Sequence, residues 1–189
     1  MRKRYHIAII GEPGSGKSTF VKKLADNYNG KVIVFMMQYN EVFKAYNQIK
    51  KSDIDSGNIK ERNFLFDPME TDSDKILESL RSFQGLVVFD DAFYHQDHRI
   101  TEEFKRLLIA RRQLNQDQIS VWHGLSYIPK QTWIYLSHLV MFRTGDSDSA
   151  LKNIPDHLVP EIKKNLILVS SKKRPTELQY IPQVVKFSH

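Results

Sequence analysis

Tyr5-His-Ile-Ala-Ile-Ile-Gly-Glu-Pro-Gly-Ser-Gly-Lys-Ser-Thr19 decides the fold of this 189-residue chain. The apolar run Ile7 to Ile10 leads directly into Gly11-x-x-x-x-Gly16-Lys17-Ser18, and a helix-forming run, Phe20 to Ala25, follows it. Strand, glycine-rich turn and helix, in that order, are the context in which this spacing forms a phosphate-binding loop. Gly11, Gly14 and Gly16 let the backbone turn tightly and aim its N–H groups at phosphate oxygens. Lys17 is placed to reach the β- and γ-phosphates, and the Ser18 hydroxyl to ligate Mg²⁺. The positive end of the helix dipole adds to the same anion site. The stretch Gly11 to Thr19, with Glu12, Pro13 and Ser15 inside it, is therefore the expected nucleotide-binding segment.

The rest of the chain bounds the problem. Its length suits one domain. Hydrophobic residues at 41% and charged residues at 26% are ordinary globular values, which argues against wholesale disorder. The absence of cysteine excludes disulfides and Cys-based metal sites. Met1-Arg-Lys-Arg carries the charge of a signal-peptide start, but a short strand and the phosphate loop follow where an apolar h-region belongs. No apolar stretch approaches the ~20 residues that span a bilayer, so no membrane insertion is expected. The net charge of +6 permits a polyanionic partner.

Working outward, Lys31-Val-Ile-Val-Phe-Met36 reads as a second buried strand. Val42, Ala45, Tyr46 and Ile49 fall at helical spacing within 38–50, and the polar stretch 51–62 reads as a surface loop. Asn63 to Phe66 is a strand candidate, and a helix is expected from Ser73 to Phe83. After Gly85, Leu-Val-Val-Phe-Asp-Asp (86–91) is a central strand ending in two carboxylates. Thr101 is the expected N-cap of a helix to about Leu114. Strands follow at Ile119 to His123, Ser137 to Phe142 and Asn165 to Ser170, with helical or turn pieces over 147–163 and a hairpin or extended arm over Leu178 to Phe187. Strands alternating with helices predict a doubly wound, mostly parallel α/β sheet.

Downstream of a phosphate loop, an apolar strand ending in Asp90-Asp91 places Asp90 to hold Mg²⁺ and Asp91 to polarise an attacking water. The acidic pair and the strand after it fit the additional-strand ATPases better than simple nucleotide kinases, in which the Mg²⁺-aspartate strand adjoins the phosphate-loop strand. Ala110-Arg111-Arg112, the run Ile119-Ser-Val-Trp-His-Gly-Leu-Ser-Tyr-Ile-Pro-Lys130 and Ser137-His-Leu-Val-Met-Phe-Arg143 together resemble the second half of the FtsK–HerA superfamily, and within it the small viral genome-packaging ATPases. Arg112, His123, Pro129 and Phe142 fall at matching positions, over roughly residues 5–145.

The resemblance implies a RecA-like additional-strand P-loop NTPase of about five core strands with a small C-terminal β element. It implies ATP and Mg²⁺ as cofactors, and double-stranded DNA as a partner bound without regard to sequence. A homo-oligomeric ring, a capsid or portal-vertex partner and the host-cell cytoplasm or virion are implied with it. The family's sensor is usually glutamine and its catalytic acid glutamate; here His123 and Asp91 stand at those positions. Histidine can still donate to a γ-phosphate or a positioned water, while a strand-end histidine with satisfied bonds is the plainer alternative. Arg112 and Arg143 both remain candidates for an arginine finger acting on a neighbouring subunit. His95 and His98 with Asp97 form only a weak metal pattern, and Lys172-Lys173-Arg174 reads as a solvated turn or a DNA-backbone contact. Trp122 and Trp133 are expected to pack in the core. The competing functions are a conjugation or segregation translocase, a small nucleoside or nucleotide kinase, and a nucleotide-switched assembly factor.

Overall fold

The computed structural model describes residues 4–67, 73–92, 101–170 and 183–187. Within them the chain runs β1 (His6–Ile10), α1 (Lys17–Asp26), β2 (Val32–Met36), β3 (Asn47–Gln48), α2 (Lys51–Asp55), β4 (Arg62–Phe66), α3 (Ser73–Leu80), β5 (Gly85–Asp90), α4 (Glu102–Ala110), β6 (Gln116–Trp122), β7 (His138–Met141), α5 (Val159–Ser170) and β8 (Gln183–Lys186). Short 3₁₀ turns fill several of the connections, among them Glu41–Phe43 and Leu125–Tyr127.

The strands form one sheet in the order β3-β4-β2-β5-β6-β1-β7-β8. Every pairing is parallel except β7 with β8. The central strands β2, β5 and β6 are buried along their whole length, as strands covered on both faces must be. One face carries Val32, Val34, Val88, Ile119 and Val121 against Val21 and Ala25 of α1. The other carries Ile33, Phe35, Val87, Phe89 and Trp122 against α3, α4 and α5. Each side chain takes its face from the twofold alternation along a strand.

Strand β6 lies between β1 and β5: Ile7 is level with Ile119, and Val88 with Ile119 from the opposite side. The strand that separates the phosphate loop from the acidic pair is thus the one after the acids in sequence, while β2 lies outside β5. The expected core is the run β7-β1-β6-β5-β2, widened by β4 and β3 at one edge and by β8 at the other. Among the described residues no helix is long and apolar enough to cross a membrane.

Several local expectations fail for physical reasons. The helical spacing over 38–50 gives a turn and the two-residue edge strand β3 instead. The buried positions there are Phe43, Tyr46 and Ile49, a spacing of three, and Ala45 is exposed. The supposed loop at 51–62 contains α2, which buries only Ile54 and so leaves no amphipathic pattern. Strand β6 begins at Gln116, before the expected Ile119, because two buried glutamines find partners. Gln116 Nε2 donates to the Leu80 and Phe83 carbonyls (3.0 and 3.1 Å), and Gln118 Nε2 to the Leu107 carbonyl (3.3 Å). Helix α4 stops at Ala110 and a turn carries the chain to Asn115, whose φ is 57°. The strand expected over Asn165 to Ser170 is the last half of α5, with Ile162, Leu166 and Val169 inward and Ile167 and Leu168 outward. The arm expected from Leu178 is described only from Gln183, as β8.

Candidate nucleotide site

The C-terminal ends of β1, β2, β5, β6 and β7 meet at one edge of the sheet, the position at which open parallel sheets present ligand crevices. Helix α1 starts there from Gly16, whose φ of 93° is a left-handed conformation suited to glycine. Both neighbouring strands clamp the loop. Gly11 N–H donates to the Trp122 carbonyl at 3.3 Å, and Glu12 N–H to the Arg143 carbonyl at 2.8 Å. A Cβ on Gly11 would come within 2.7 Å of Phe142 Cβ and Ser15 Oγ, so no side chain fits there. Lys17 is buried, and its ammonium donates to the Gly11 and Glu12 carbonyls. Burial draws its pKa down, and the carboxylates of Asp90, Asp91 and Glu12 oppose that shift.

Asp90 ends β5 and is buried; burial raises its pKa above the usual carboxylate value, against a hydrogen bond from Asn40 and the charge of Lys17. Asp91 turns away from the strand with φ 61°. Its Oδ2 lies 3.2 Å from His123 Nε2, at the end of β6, and its Oδ1 is buried with no hydrogen-bond partner among the described residues. The backbone kink and the inserted strand therefore bring the expected water-polarising acid and the expected sensor together.

Two cavities adjoin this edge. One, of about 280 Å³, is lined by Pro13, Gly14, Lys17, Ser18, Asp90, Asp91 and His123 among others. The second, of about 600 Å³, runs along the start of α1 past Thr19, Phe20 and Lys23 to Val42 and Phe142. The first has the carboxylates and the ammonium of phosphate chemistry; the second has the size and apolar walls that suit a base and sugar.

The residues also fit Mg²⁺. Ser18 Oγ and Asp90 Oδ2 face one another across Asn40 Nδ2, from which each accepts a hydrogen bond. Both are hard oxygen donors. Among the described residues no group of three His, Cys, Asp or Glu is arranged to hold a metal ion by itself; Mg²⁺ commonly takes most of its ligands from nucleotide phosphates and water.

The two arginines part company. Arg143 Nε pairs with Glu12 Oε1 at 2.8 Å, on this chain's own phosphate loop. Arg112 is exposed in the turn before β6, one full strand length from that loop: seven residues of β6, or roughly 20 Å, separate its end of the sheet from the site. Trp122 and Trp133 are buried in the core, where packing places them. His95, Asp97, His98 and Lys172 to Arg174 lie outside the described residues.

Sequence reasoning misses two features. Asn40, alone in a polar stretch, has no spacing signal beyond its place after a parallel strand that neighbours the acid-bearing one. Asp146 accepts from Leu125 N–H (2.7 Å) and from the Thr144 hydroxyl (2.6 Å), tying the loop after His123 to the loop after Arg143. Nothing local in the sequence links these loops.

No family model matches the chain, and no curated protein matches it. Solved structures do. The genome packaging NTPase B204 of Sulfolobus turreted icosahedral virus 2, in complex with AMP, superposes with a TM-score of 0.72 at 19% identity over 90% of each chain. The DNA-packaging ATPase B204 of Sulfolobus turreted icosahedral virus gives 0.67 at 19% identity over 100% of each chain. VirB4 of Thermoanaerobacter pseudethanolicus gives 0.56 at 11% identity over 90% of this chain and 85% of that one. The chain thus has the α/β P-loop NTPase fold of the viral genome-packaging ATPases and resembles them along essentially its whole length.

Proposed function

We propose that this protein is an ATP-hydrolysing motor that translocates double-stranded DNA in viral genome packaging. The observation that carries the hydrolytic reading is the Asp91–His123 pair, held at 3.2 Å beside the phosphate loop by the strand inserted between β1 and β5. In simple nucleotide kinases the Mg²⁺-aspartate strand adjoins the phosphate-loop strand, whereas here β6 lies between β1 and β5. The DNA reading is supported by the full-length fold match to a DNA-packaging ATPase and by the net charge of +6.

In this reading the N–H groups of Gly14 to Ser18 bind the phosphates, and Lys17 exchanges its two carbonyl partners for phosphate oxygens. Ser18 and Asp90 would hold Mg²⁺, and the bound ion would supply positive charge to the phosphoryl group. Asp91 accepts a proton from the attacking water as it adds to the γ-phosphorus, and ADP leaves with the electrons of the broken P–O bond. His123 orients that water or the γ-phosphate through its ring nitrogens. Arg112, exposed and remote from its own site, is the better placed of the two arginines to enter a neighbour's site in a ring. Arg143 is held in cis by Glu12.

The test is phosphate release by purified protein over a range of protein concentrations, with and without duplex DNA and with Lys17→Ala as the blank. Turnover that rises steeply with concentration and rises again with DNA supports the motor. Turnover indifferent to both overturns it. Phosphorylation of an added nucleoside identifies a kinase, and tight ATP binding with almost no turnover identifies a nucleotide-switched assembly factor.

A further inference from the structure

Asn40 is held at both ends of its amide. Its Oδ1 accepts the backbone N–H of Val42 at 3.1 Å and so caps the Glu41–Phe43 turn. That bond fixes the orientation of the amide and aims Nδ2 inward, where it donates to Ser18 Oγ at 3.0 Å and to Asp90 Oδ2 at 2.9 Å. These two oxygens are the pair that fits Mg²⁺. An amide NH₂ is a donor only and has no lone pair to offer a cation. Its nitrogen lies within hydrogen-bonding distance of both oxygens, so a cation bridging the same two oxygens competes with it for their lone pairs. A half-turn of the amide would present Oδ1 to the cation, at the expense of the Val42 N–H bond that caps the turn. The turn is anchored through buried Phe43, whose ring packs on Tyr46 at 5.6 Å between centroids.

We propose that Asn40 is a competitor for the metal site: its NH₂ engages the Ser18 hydroxyl and the Asp90 carboxylate in the absence of the ion, and it gives them up when Mg²⁺ arrives with the nucleotide. The metal then displaces a ready-made pair of hydrogen bonds, and its arrival is transmitted to the Glu41–Phe43 turn. The inference rests on the proposed ATPase site for the identity of the two metal ligands.

Calorimetric binding of a non-hydrolysable ATP analogue, in excess Mg²⁺ and separately in EDTA, tests it without any turnover. Wild type is expected to bind more tightly with Mg²⁺. In Asn40→Ala the competitor is gone, so the ratio of the two affinities should grow by about tenfold, as for loss of one to two opposing hydrogen bonds. Taking the ratio within each protein removes any effect of the variant on nucleotide contacts common to both conditions. Asn40→Asp keeps an oxygen for the Val42 N–H and replaces the NH₂ by a ligand, so this variant should bind Mg²⁺ alone measurably better than wild type. An unchanged or smaller ratio in Asn40→Ala overturns the proposal, as does an Asn40→Asp protein with no gain in Mg²⁺ binding. A wild-type protein whose nucleotide affinity ignores Mg²⁺ overturns the metal-site reading itself, a result distinct from either.

Discussion

Asp91 holds a left-handed backbone, φ 61°, that costs a non-glycine residue roughly 1–2 kcal/mol. Such strain is stored where a side chain must leave the strand direction, and here it turns the carboxylate toward His123. Asp91→Gly should therefore stabilise the fold, by about 1 kcal/mol in a urea titration, while phosphate release falls by about 100-fold or more. A destabilised Asp91→Gly protein would show that the φ value carries no strain. His6 makes a second prediction at this scale. It is fully buried on β1, Nε2 to Ser120 Oγ at 2.9 Å, and burial with the nearby Arg111 charge lowers its pKa to about 3. From pH 6.5 down to about 3 the unfolded chain binds a proton that the native one refuses, so stability falls with falling pH across that window. The loss approaches about 1.4 kcal/mol per pH unit. His6→Gln keeps a donor for Ser120 and does not titrate, so its stability should vary less over the same window. Parallel wild-type and variant curves would contradict the assignment.

Helix α5 shows why some elements were legible and others were not. Leu166-Ile-Leu-Val is a continuous apolar run, which periodicity cannot assign to helix or strand. The helix resolves it into an inward stripe and an outward one: Leu166 is 5% exposed and Ile167 59%. Ile162→Ala should cost about 2–4 kcal/mol in chemical unfolding, and Ile167→Ala no more than about 0.5. Equal costs would restore the strand. The elements read correctly, β1, α1, β2 and β5, announce themselves within a few residues: contiguous β-branched runs, a glycine-lysine turn, a pair of terminal acids. The phosphate loop, Asp90 and Asp91 are legible for the same reason. What escaped depends on partners far along the chain. The start of β6 was hidden by Gln116 and Gln118, polar residues whose burial is tolerable only because the ends of α3 and α4 supply carbonyls. Asn40 escaped because its meaning lies in Ser18 and Asp90, neither of which is its sequence neighbour.

For the whole molecule, the placement of two arginines at opposite ends of the sheet gives a test of assembly. If Arg112 completes a neighbour's site, mixtures of Arg112→Ala and Lys17→Ala subunits should regain turnover that neither has alone. Each Lys17→Ala subunit would then lend an intact Arg112 to a neighbour with an intact loop. Arg143→Ala, acting on its own loop through Glu12, should gain nothing from the same mixing. Rescue of Arg143→Ala and not of Arg112→Ala would exchange the two roles.

The position of β1 has a consequence for synthesis. Its hydrogen-bonded neighbours are β6 and β7, so Ile7 waits for Ile119 and His138, on the order of a hundred residues later in the chain. At ribosomal speeds of about 5–20 residues per second, that is several seconds or more during which β1 has no place in this sheet. The phosphate loop, complete in sequence by Thr19, acquires its clamps from Trp122 and Arg143 only after roughly a hundred further residues have been made. A nascent chain halted before β6 should thus hold no nucleotide, because the strand that clamps the loop has yet to be made.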